Sequence, residues 1–179
     1  MTGQKKVLIV IAPRNFRDEE LTEPINYLER AGISYDVIST SRGLAVGMMG
    51  GKMLIEHTIS DINEGDIGQY SGIIIIGGGG TPEYLWNNRS LLNLVQKFDK
   101  QESIVSAICL APAVLGQAGV LKDKKATVWN DDQAIDEIRK GGGIFTSSPV
   151  VVDGRIITGS GPTAAAAFGE KVAGAVNNL

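Results

Sequence analysis

One residue of this chain has the type and the sequence setting of a catalytic nucleophile. Cys109 directly follows the apolar run 103–108, which has the composition of a buried strand, and precedes Leu110-Ala111-Pro112, where proline favours a first helical turn. Strand, sharp turn and helix in this order form a nucleophile elbow. Backbone N–H groups and the helix dipole there favour the thiolate and lower the pKa of the thiol. The competing interpretation is a buried, unreactive cysteine.

A glycine run could stabilise the charge that attack by this thiol would create. Glycines 77–80 end another apolar strand, and glycine lets backbone N–H groups approach a ligand closely. In an open α/β sheet, ligands bind outside the carboxyl ends of the strands. We therefore expect the N–H groups of Gly79 and Leu110, with Gly78 beside them, to hold an oxyanion. The alternative is a turn that binds nothing, and the spacing does not match a dinucleotide fingerprint.

Three consecutive acids, Asp18, Glu19 and Glu20, follow the first expected strand and so lie at the same sheet edge as Cys109. Acids at a helix start usually complement the helix dipole and face solvent, but one of them could point inward. Trp129 and Asn130 are candidates to line a pocket, with simple packing as the alternative for the tryptophan.

Regularly spaced, β-branched apolar runs indicate an α/β protein with a mostly parallel sheet. We expect strands at residues 5–12, 35–39, 72–76 and 103–108, and helices at 18–31, about 82–100, 110–116 and 162–176. Alternating strands and helices imply right-handed crossovers and a three-layer sandwich. The length of 179 residues predicts a single domain, 1–179.

Three segments add detail to this alternation. Residues 43–58 are rich in glycine and methionine and predict a small β-excursion, whereas residues 149–158 predict a hairpin turned by Asp153-Gly154. The alanines at 164–167 predict close packing of the last helix on the sheet.

Composition excludes several classes of function. The net charge is −3 without a dense basic run, so we expect no nucleic-acid partner. The N-terminal apolar run is too short for a signal peptide or a membrane span, which predicts a cytoplasmic protein without a membrane partner. One cysteine cannot form an internal disulfide. The one histidine, His57, lies in a polar patch that we expect to be structural, so we expect no metal site.

Taken together and in this order, these segments resemble the PfpI family of intracellular proteases and the related parkinsonism-associated deglycase family. The resemblance spans essentially the whole chain and rests on residues 16–21 (FRDEEL), 76–83 (IGGGGTPE), 107–112 (AICLAP) and Gly161-Pro162. It implies a flavodoxin-like fold with a nucleophile elbow, of the class I glutamine amidotransferase type. It also implies activity without a cofactor and assembly as a homodimer or homohexamer.

The resemblance also implies roles for individual residues. Cys109 is similar to the family nucleophile and Glu20 to the acid that hydrogen-bonds its sulfur, so we expect a desolvated Glu20 carboxyl with a raised pKa. Asp18 and Glu19 should then face solvent. Gly79 and Leu110 correspond to the oxyanion donors, and the expected pocket lining comprises Trp129, Asn130, Gly161 and Pro162.

Two departures from the family pattern bear on function. Leu110 stands where the protease branch has histidine, and Trp129 stands where the deglycase branch places one. The Cys–His couple that amide hydrolysis uses is therefore missing, which disfavours peptidase activity. The leading hypothesis is a cysteine enzyme acting on small reactive carbonyls, or their adducts, in glyoxalase or deglycase fashion. The alternatives are a PfpI-type peptidase or amidase on peptide-like substrates, and a non-enzymatic redox-sensing or chaperone-like stress protein using Cys109.

Overall fold

A six-stranded sheet forms the centre of the structure, a computed structural model that describes residues 3–179. The strands in chain order are β1 (Lys6–Val10), β2 (Arg14–Phe16), β3 (Ser34–Ile38), β4 (Gly43–Gly47), β5 (Lys52–Ile55), β6 (Gly72–Ile75), β7 (Ile104–Ile108), β8 (Lys125–Ala126), β9 (Ile144–Phe145), β10 (Val150–Asp153) and β11 (Ile156–Gly159). The central order is β10-β11-β7-β6-β1-β3, and every neighbouring pair except β10 and β11 is parallel. The carboxyl ends of β1, β6 and β7 therefore meet at one edge, as the sequence predicted.

Helices cover both faces of this sheet and complete a flavodoxin-like, three-layer sandwich. The α-helices are α1 (Asp18–Arg30), α2 (Glu64–Ile67), α3 (Thr81–Tyr84), α4 (Arg89–Lys100), α5 (Pro112–Gln117), α6 (Asp132–Lys140) and α7 (Ala165–Asn177). Helices α1 and α7 pack on one face, and α4, α5 and α6 lie on the other. No helix among residues 3–179 combines the length and the apolar character that crossing a membrane requires.

Strand β1 shows why the sheet needs cover on both sides. Val7 and Ile9 point into the core beneath α1 and α7, whereas Leu8 and Val10 point into the core beneath α4 and α5. All four side chains are fully buried. A strand that alternates between two apolar cores has a nearly continuous apolar sequence, which is the signal that identified it.

The predicted elements match the structure with one error at a helix. The four predicted strands of the sheet are confirmed to within two residues. The single helix expected at 82–100 is wrong, because the chain forms α3 and α4 with a break between them. Asn87 in that break has φ +57°, a left-handed conformation that ends a helix, and the Asn88 side chain caps α4 by accepting the Leu91 N–H.

The two predicted β-excursions are confirmed as hairpins. Strands β4 and β5 pair antiparallel within the segment 43–58, and β2 joins them to form a small second sheet. Strands β10 and β11 form the other hairpin, with Gly154 at φ +61° in its turn. The alanine run is only partly as expected, because Ala166 and Ala167 are exposed on α7.

Sequence reasoning missed the segment β8–α6–β9. Helix α6 has a capping signal, since the Asp131 side chain accepts the Ala134 N–H at 2.9 Å. The strands on either side have two residues each, too short to show a periodicity. This segment matters for the site, because Trp129 lies between β8 and α6.

The close approach of α5 and α6 yields a stability prediction. A Cβ on Gly116 would collide with the backbone carbonyl of Glu137, which cannot move away as a flexible side chain could. We expect Gly116→Ala to lower the free energy of unfolding by about 1–3 kcal/mol. Gly174→Ala, on the exposed side of α7 with nothing within 4 Å, is the matched control and should stabilise by about 0.5–1 kcal/mol. Chemical denaturation of both variants checks this, and equal effects would contradict it.

Candidate active site

Cys109 occupies a strained turn immediately after β7. Its φ is +64°, a left-handed conformation that non-glycine residues seldom adopt. Two backbone hydrogen bonds hold it there: its N–H donates to Gly159 O at 2.9 Å, and its carbonyl accepts the Trp129 N–H at 2.8 Å. The indole N–H of Trp86 donates to Leu110 O at 2.9 Å and fixes the next residue. The turn therefore presents the sulfur at the carboxyl edge of the sheet.

Glu20 reaches this sulfur from the first turn of α1. Its side chain is fully buried, and its Oε2 accepts the Gly77 N–H at 3.0 Å. The Cys109 thiol lies beside this carboxyl and acts on its pKa, whereas Oε1 has no hydrogen-bond partner among the described residues. Glu20 is the third acid in the sequence Asp18-Glu19-Glu20. Its burial confirms that one of the three acids points inward.

Glycine at position 77 makes this contact possible. A Cβ there would lie 2.6 Å from the Cβ of Cys109 and 3.0 Å from Glu20 Oε2. No side chain fits between the Cys109 side chain and the Glu20 carboxyl. Only glycine therefore allows the chain after β6 to pass between them. The main chain of α1 is tied to the same point, since the Arg17 N–H donates to Gly77 O at 2.9 Å.

Burial governs the protonation of both groups. Loss of water raises the pKa of Glu20 to about 7, against smaller opposing contributions from its hydrogen bonds with Cys109 and Gly77. Burial, and then the negative charge of Glu20, raise the pKa of Cys109 above its ordinary value. Two acids in contact titrate as a pair, so the pair holds two protons below about pH 7 and one proton over a wide range above it.

The sequence predicted a lowered pKa for the Cys109 thiol, and this prediction is wrong. The sequence argument counted the backbone N–H groups, and those of Gly78 and Leu110 do act on the sulfur and lower its pKa. It did not count the removal of the thiol from water or the adjacent carboxylate. In addition, α5 begins only at Pro112, three residues after the cysteine, which weakens the influence of its dipole.

The backbone N–H groups that act on the sulfur are not the pair that we expected to hold an oxyanion. The Gly78 and Leu110 N–H groups are directed at Cys109, whereas the Gly79 N–H donates to Met48 Sδ at 3.2 Å. Gly78 has φ +120°, and a Cβ there would lie 2.5 Å from Asn15 O. Gly78 therefore acts on the sulfur directly, whereas the Gly79 N–H is paired with Met48.

Met48 is held over the glycine turn by an acid that was expected to face solvent. The Asp18 carboxylate accepts the N–H groups of Met49 at 2.8 Å and Gly51 at 2.7 Å, which fixes the tip of the β4–β5 hairpin. Glu19, the other acid, forms an ion pair with Arg17 at 2.7 Å. Glu19 keeps 43% of its side chain exposed and faces solvent as expected, whereas Asp18 is half-buried against the hairpin, contrary to expectation. A single sequence offers no signal for the Met48 contact.

A cavity of about 220 Å³ opens at the sulfur of Cys109. Its lining residues come from six segments of the chain: Arg17, Met48, Gly78, Gly79, Cys109, Leu110, Trp129 and Pro162. Trp129 and Pro162 are thus placed as expected. Gly161 lies behind the Trp129 ring, where a Cβ would be 2.6 Å from the indole, and Asn130 lines a neighbouring cavity instead.

No histidine side chain lines the cavity at Cys109. His57 is exposed beyond the end of β5 and is not among the residues that line the cavity. Within residues 3–179, no three His, Cys, Asp or Glu side chains are grouped as metal ligands would be. The acid–base chemistry available at the sulfur is therefore that of Glu20.

Fold, elbow and buried acid agree with the comparison to known families. Residues 5–175 match the DJ-1/PfpI family. The chain belongs to this family. Its glycine-rich turn, its elbow cysteine and its buried Glu20 are thus elements of a DJ-1/PfpI domain.

Relatives of this domain include proteins with and without an assigned activity. An uncharacterized protein of Methanocaldococcus jannaschii is 50% identical over 171 residues, which are 96% of this chain and 82% of that protein. A deglycase of Pyrococcus horikoshii is 27% identical over 157 residues, 88% of this chain and 90% of the relative. The crystal structure of a ThiJ/PfpI domain protein from Brachyspira murdochii superposes with a TM-score of 0.90 at 30% identity, covering 99% of both chains.

The shared proton predicts a two-step titration of Cys109. We expect the rate of iodoacetamide alkylation to rise first near pH 7, as the pair loses its first proton, and again at strongly alkaline pH. In Glu20→Gln only the thiol titrates, so a single step should remain, and Glu19→Gln should keep two. A single step in the wild-type protein would show that the two groups do not share a proton.

The same burial predicts how stability depends on pH. The folded-state pKa of Glu20, about 7, lies above its ordinary 4.5, so the folded protein binds more protons between these values and loses stability as pH rises through them. The loss from this group is about 3 kcal/mol. We therefore expect Glu20→Gln to be more stable than wild type at pH 8 and nearly equal at pH 4, by urea denaturation. A constant difference at both pH values would refute this.

Proposed function

We propose that this protein is a cofactor-independent enzyme that acts on small reactive carbonyl compounds. Cys109 is the nucleophile, Glu20 carries the proton, and the Gly78 and Leu110 N–H groups hold the developing oxyanion. The observation that carries the proposal is the buried Cys109 thiol beside the buried Glu20 carboxyl at the floor of a small cavity.

Addition to an aldehyde needs only these groups. The Cys109 sulfur forms a bond to the carbonyl carbon while the C=O π bond opens, and the negative charge moves to the carbonyl oxygen. The Glu20 carboxylic acid then gives its proton to that oxygen, which leaves a neutral hemithioacetal and a Glu20 carboxylate. No amine leaves in this step, so the proton donor that a histidine would supply to an amine is not required.

For a 2-oxoaldehyde the Glu20 carboxylate can continue the reaction. It takes the proton from the former aldehyde carbon and returns it to the neighbouring carbonyl carbon, while the hydroxyl proton moves from the first oxygen to the second, which converts the hemithioacetal to the thioester of a 2-hydroxy acid. Water then cleaves the C–S bond, restores the thiol and releases a 2-hydroxy acid. The aldehyde carbon is oxidised and the adjacent carbon reduced within one molecule, so no external oxidant enters.

The size of the site supports a small substrate over a peptide. A volume of about 220 Å³ accommodates a compound of a few carbons but not several residues of polypeptide. The relative from Pyrococcus horikoshii is named a deglycase, which is consistent with carbonyl adducts as the substrate class.

Conversion of methylglyoxal to lactate tests the proposal. We expect wild-type protein to produce lactate, Cys109→Ala to produce none, and Glu20→Gln to be slower by about 10²-fold or more because the proton carrier is lost. Glu19→Gln is the matched control and should keep most of the activity.

Three results would redirect the assignment. Loss of activity in Glu19→Gln but not in Glu20→Gln would move the acid by one position. Cys109-dependent cleavage of casein without methylglyoxal turnover would identify a peptidase, and a further loss in His57→Ala would locate its base. Absence of both activities, with ready oxidation of Cys109 to the sulfinate, would favour the redox-sensing alternative.

A further inference from the structure

A second cavity of about 290 Å³ lies next to the Cys109 cavity and shares Trp129 with it. No charged side chain lines it. Its walls combine two aromatic rings with hydroxyl and amide side chains: Thr127, Val128, Trp129, Asn130, Phe145, Ser147, Ser148, Pro149 and Ser160. The Trp129 indole, 46% exposed, stands between the two cavities and borders both.

This lining favours one class of ligand. An ion would lose its water here without gaining an opposite charge, and a purely apolar group would leave the hydroxyl and amide groups without partners. A neutral carbon chain with several hydroxyl groups satisfies both requirements, because its C–H faces pack on Trp129 and Phe145 while its hydroxyls pair with serine and Asn130 side chains.

The main-chain N–H groups of Ser148 and Ser160 are already paired, so these two residues offer a ligand their hydroxyl groups. The Ser160 N–H donates to Pro149 O at 2.9 Å, and the Ser148 N–H donates to Thr146 O at 2.9 Å. These bonds set the positions of two half-buried serines whose hydroxyl groups border the cavity.

Both walls of the second cavity are attached to the nucleophile itself. Trp129 donates its N–H to Cys109 O, and Gly159, which precedes Ser160, accepts the Cys109 N–H. A ligand that spans the shared Trp129 would therefore meet the thiol and the hydroxyl-lined walls in a fixed relative position, as an extended substrate requires.

We propose that the second cavity binds the hydroxylated chain of a sugar-derived dicarbonyl compound whose aldehyde carbon is attacked by Cys109. This assignment rests on the proposed function and names the substrate class within it. Three-carbon compounds fill only the cavity at the sulfur, whereas a six-carbon hydroxylated 2-oxoaldehyde extends past Trp129 into the second one.

Kinetics with two extended substrates separate length from hydroxylation. The probes are 3-deoxyglucosone, a hydroxylated six-carbon 2-oxoaldehyde, and phenylglyoxal, an extended one without hydroxyls. In Ser148→Ala/Ser160→Ala we expect the ratio of their kcat/KM values to fall about tenfold, because two hydrogen bonds to the hydroxylated chain are lost. Ser90→Ala, in an unrelated cavity beside α4, is the control and should leave the ratio unchanged. An unchanged ratio in the double variant would overturn the assignment.

A binding measurement keeps this inference distinguishable from the proposed function. In Cys109→Ala, titration with D-sorbitol should change the fluorescence of Trp129 saturably, the Trp129→Phe derivative should lose the change, and the double serine variant should weaken binding about tenfold. Saturable sorbitol binding without turnover of any dicarbonyl would leave this site standing and refute the proposed function. Turnover of methylglyoxal without a saturable sorbitol signal would support the proposed function and refute the sugar site. Equal competition with sorbitol by a neutral dipeptide amide would identify a peptide site instead.

Discussion

The Glu20 carboxyl and the Cys109 thiol lie against each other with water removed, and the other features of the site serve this contact. Burying a carboxyl is unfavourable for its charged form, which is why Glu20 titrates near neutrality. The same burial would make the thiol a poor nucleophile if it stood alone. Above about pH 7 the two acids hold one proton between them, and the backbone N–H groups of Gly78 and Leu110 lower the pKa of the thiol. The unfavourable burial of the Glu20 carboxyl thus occurs at the point where the proposed reaction needs proton transfer.

The rest of the fold positions this pair with backbone rather than with flexible side chains. Gly77 follows strand β6, and its missing side chain leaves room for the contact while its N–H orients the carboxyl. Strand β11 and the segment after β8 hold the left-handed Cys109 from either side. Since these strands belong to one hydrogen-bonded sheet or pack directly on it, the sheet holds the strained residue in place.

The absence of a histidine at the sulfur narrows the chemistry that such a site can perform. Peptide hydrolysis must protonate a departing amine, whereas addition to an aldehyde creates only an alkoxide that Glu20 can protonate. Position 129 shows how one side chain changes the available chemistry. A tryptophan there supplies no proton, but it packs on Gly161 and forms a wall common to two cavities. Members of one fold family can thus differ in reaction because a few side chains at a shared elbow differ.

The sequence by itself determined the α/β class, the carboxyl-edge location of the site and the identity of its cysteine, because buried parallel strands and a strand–turn–helix cysteine leave strong local signals. Resemblance to a family singled out Glu20, which the run Asp18-Glu19-Glu20 alone could not do. Tertiary structure alone decided which glycine N–H faces the sulfur, since that depends on where the β4–β5 hairpin places Met48. It also decided the protonation of the pair and the presence of the second cavity. Desolvation and cavity shape arise from residues far apart in the chain, and no local pattern of side chains records them.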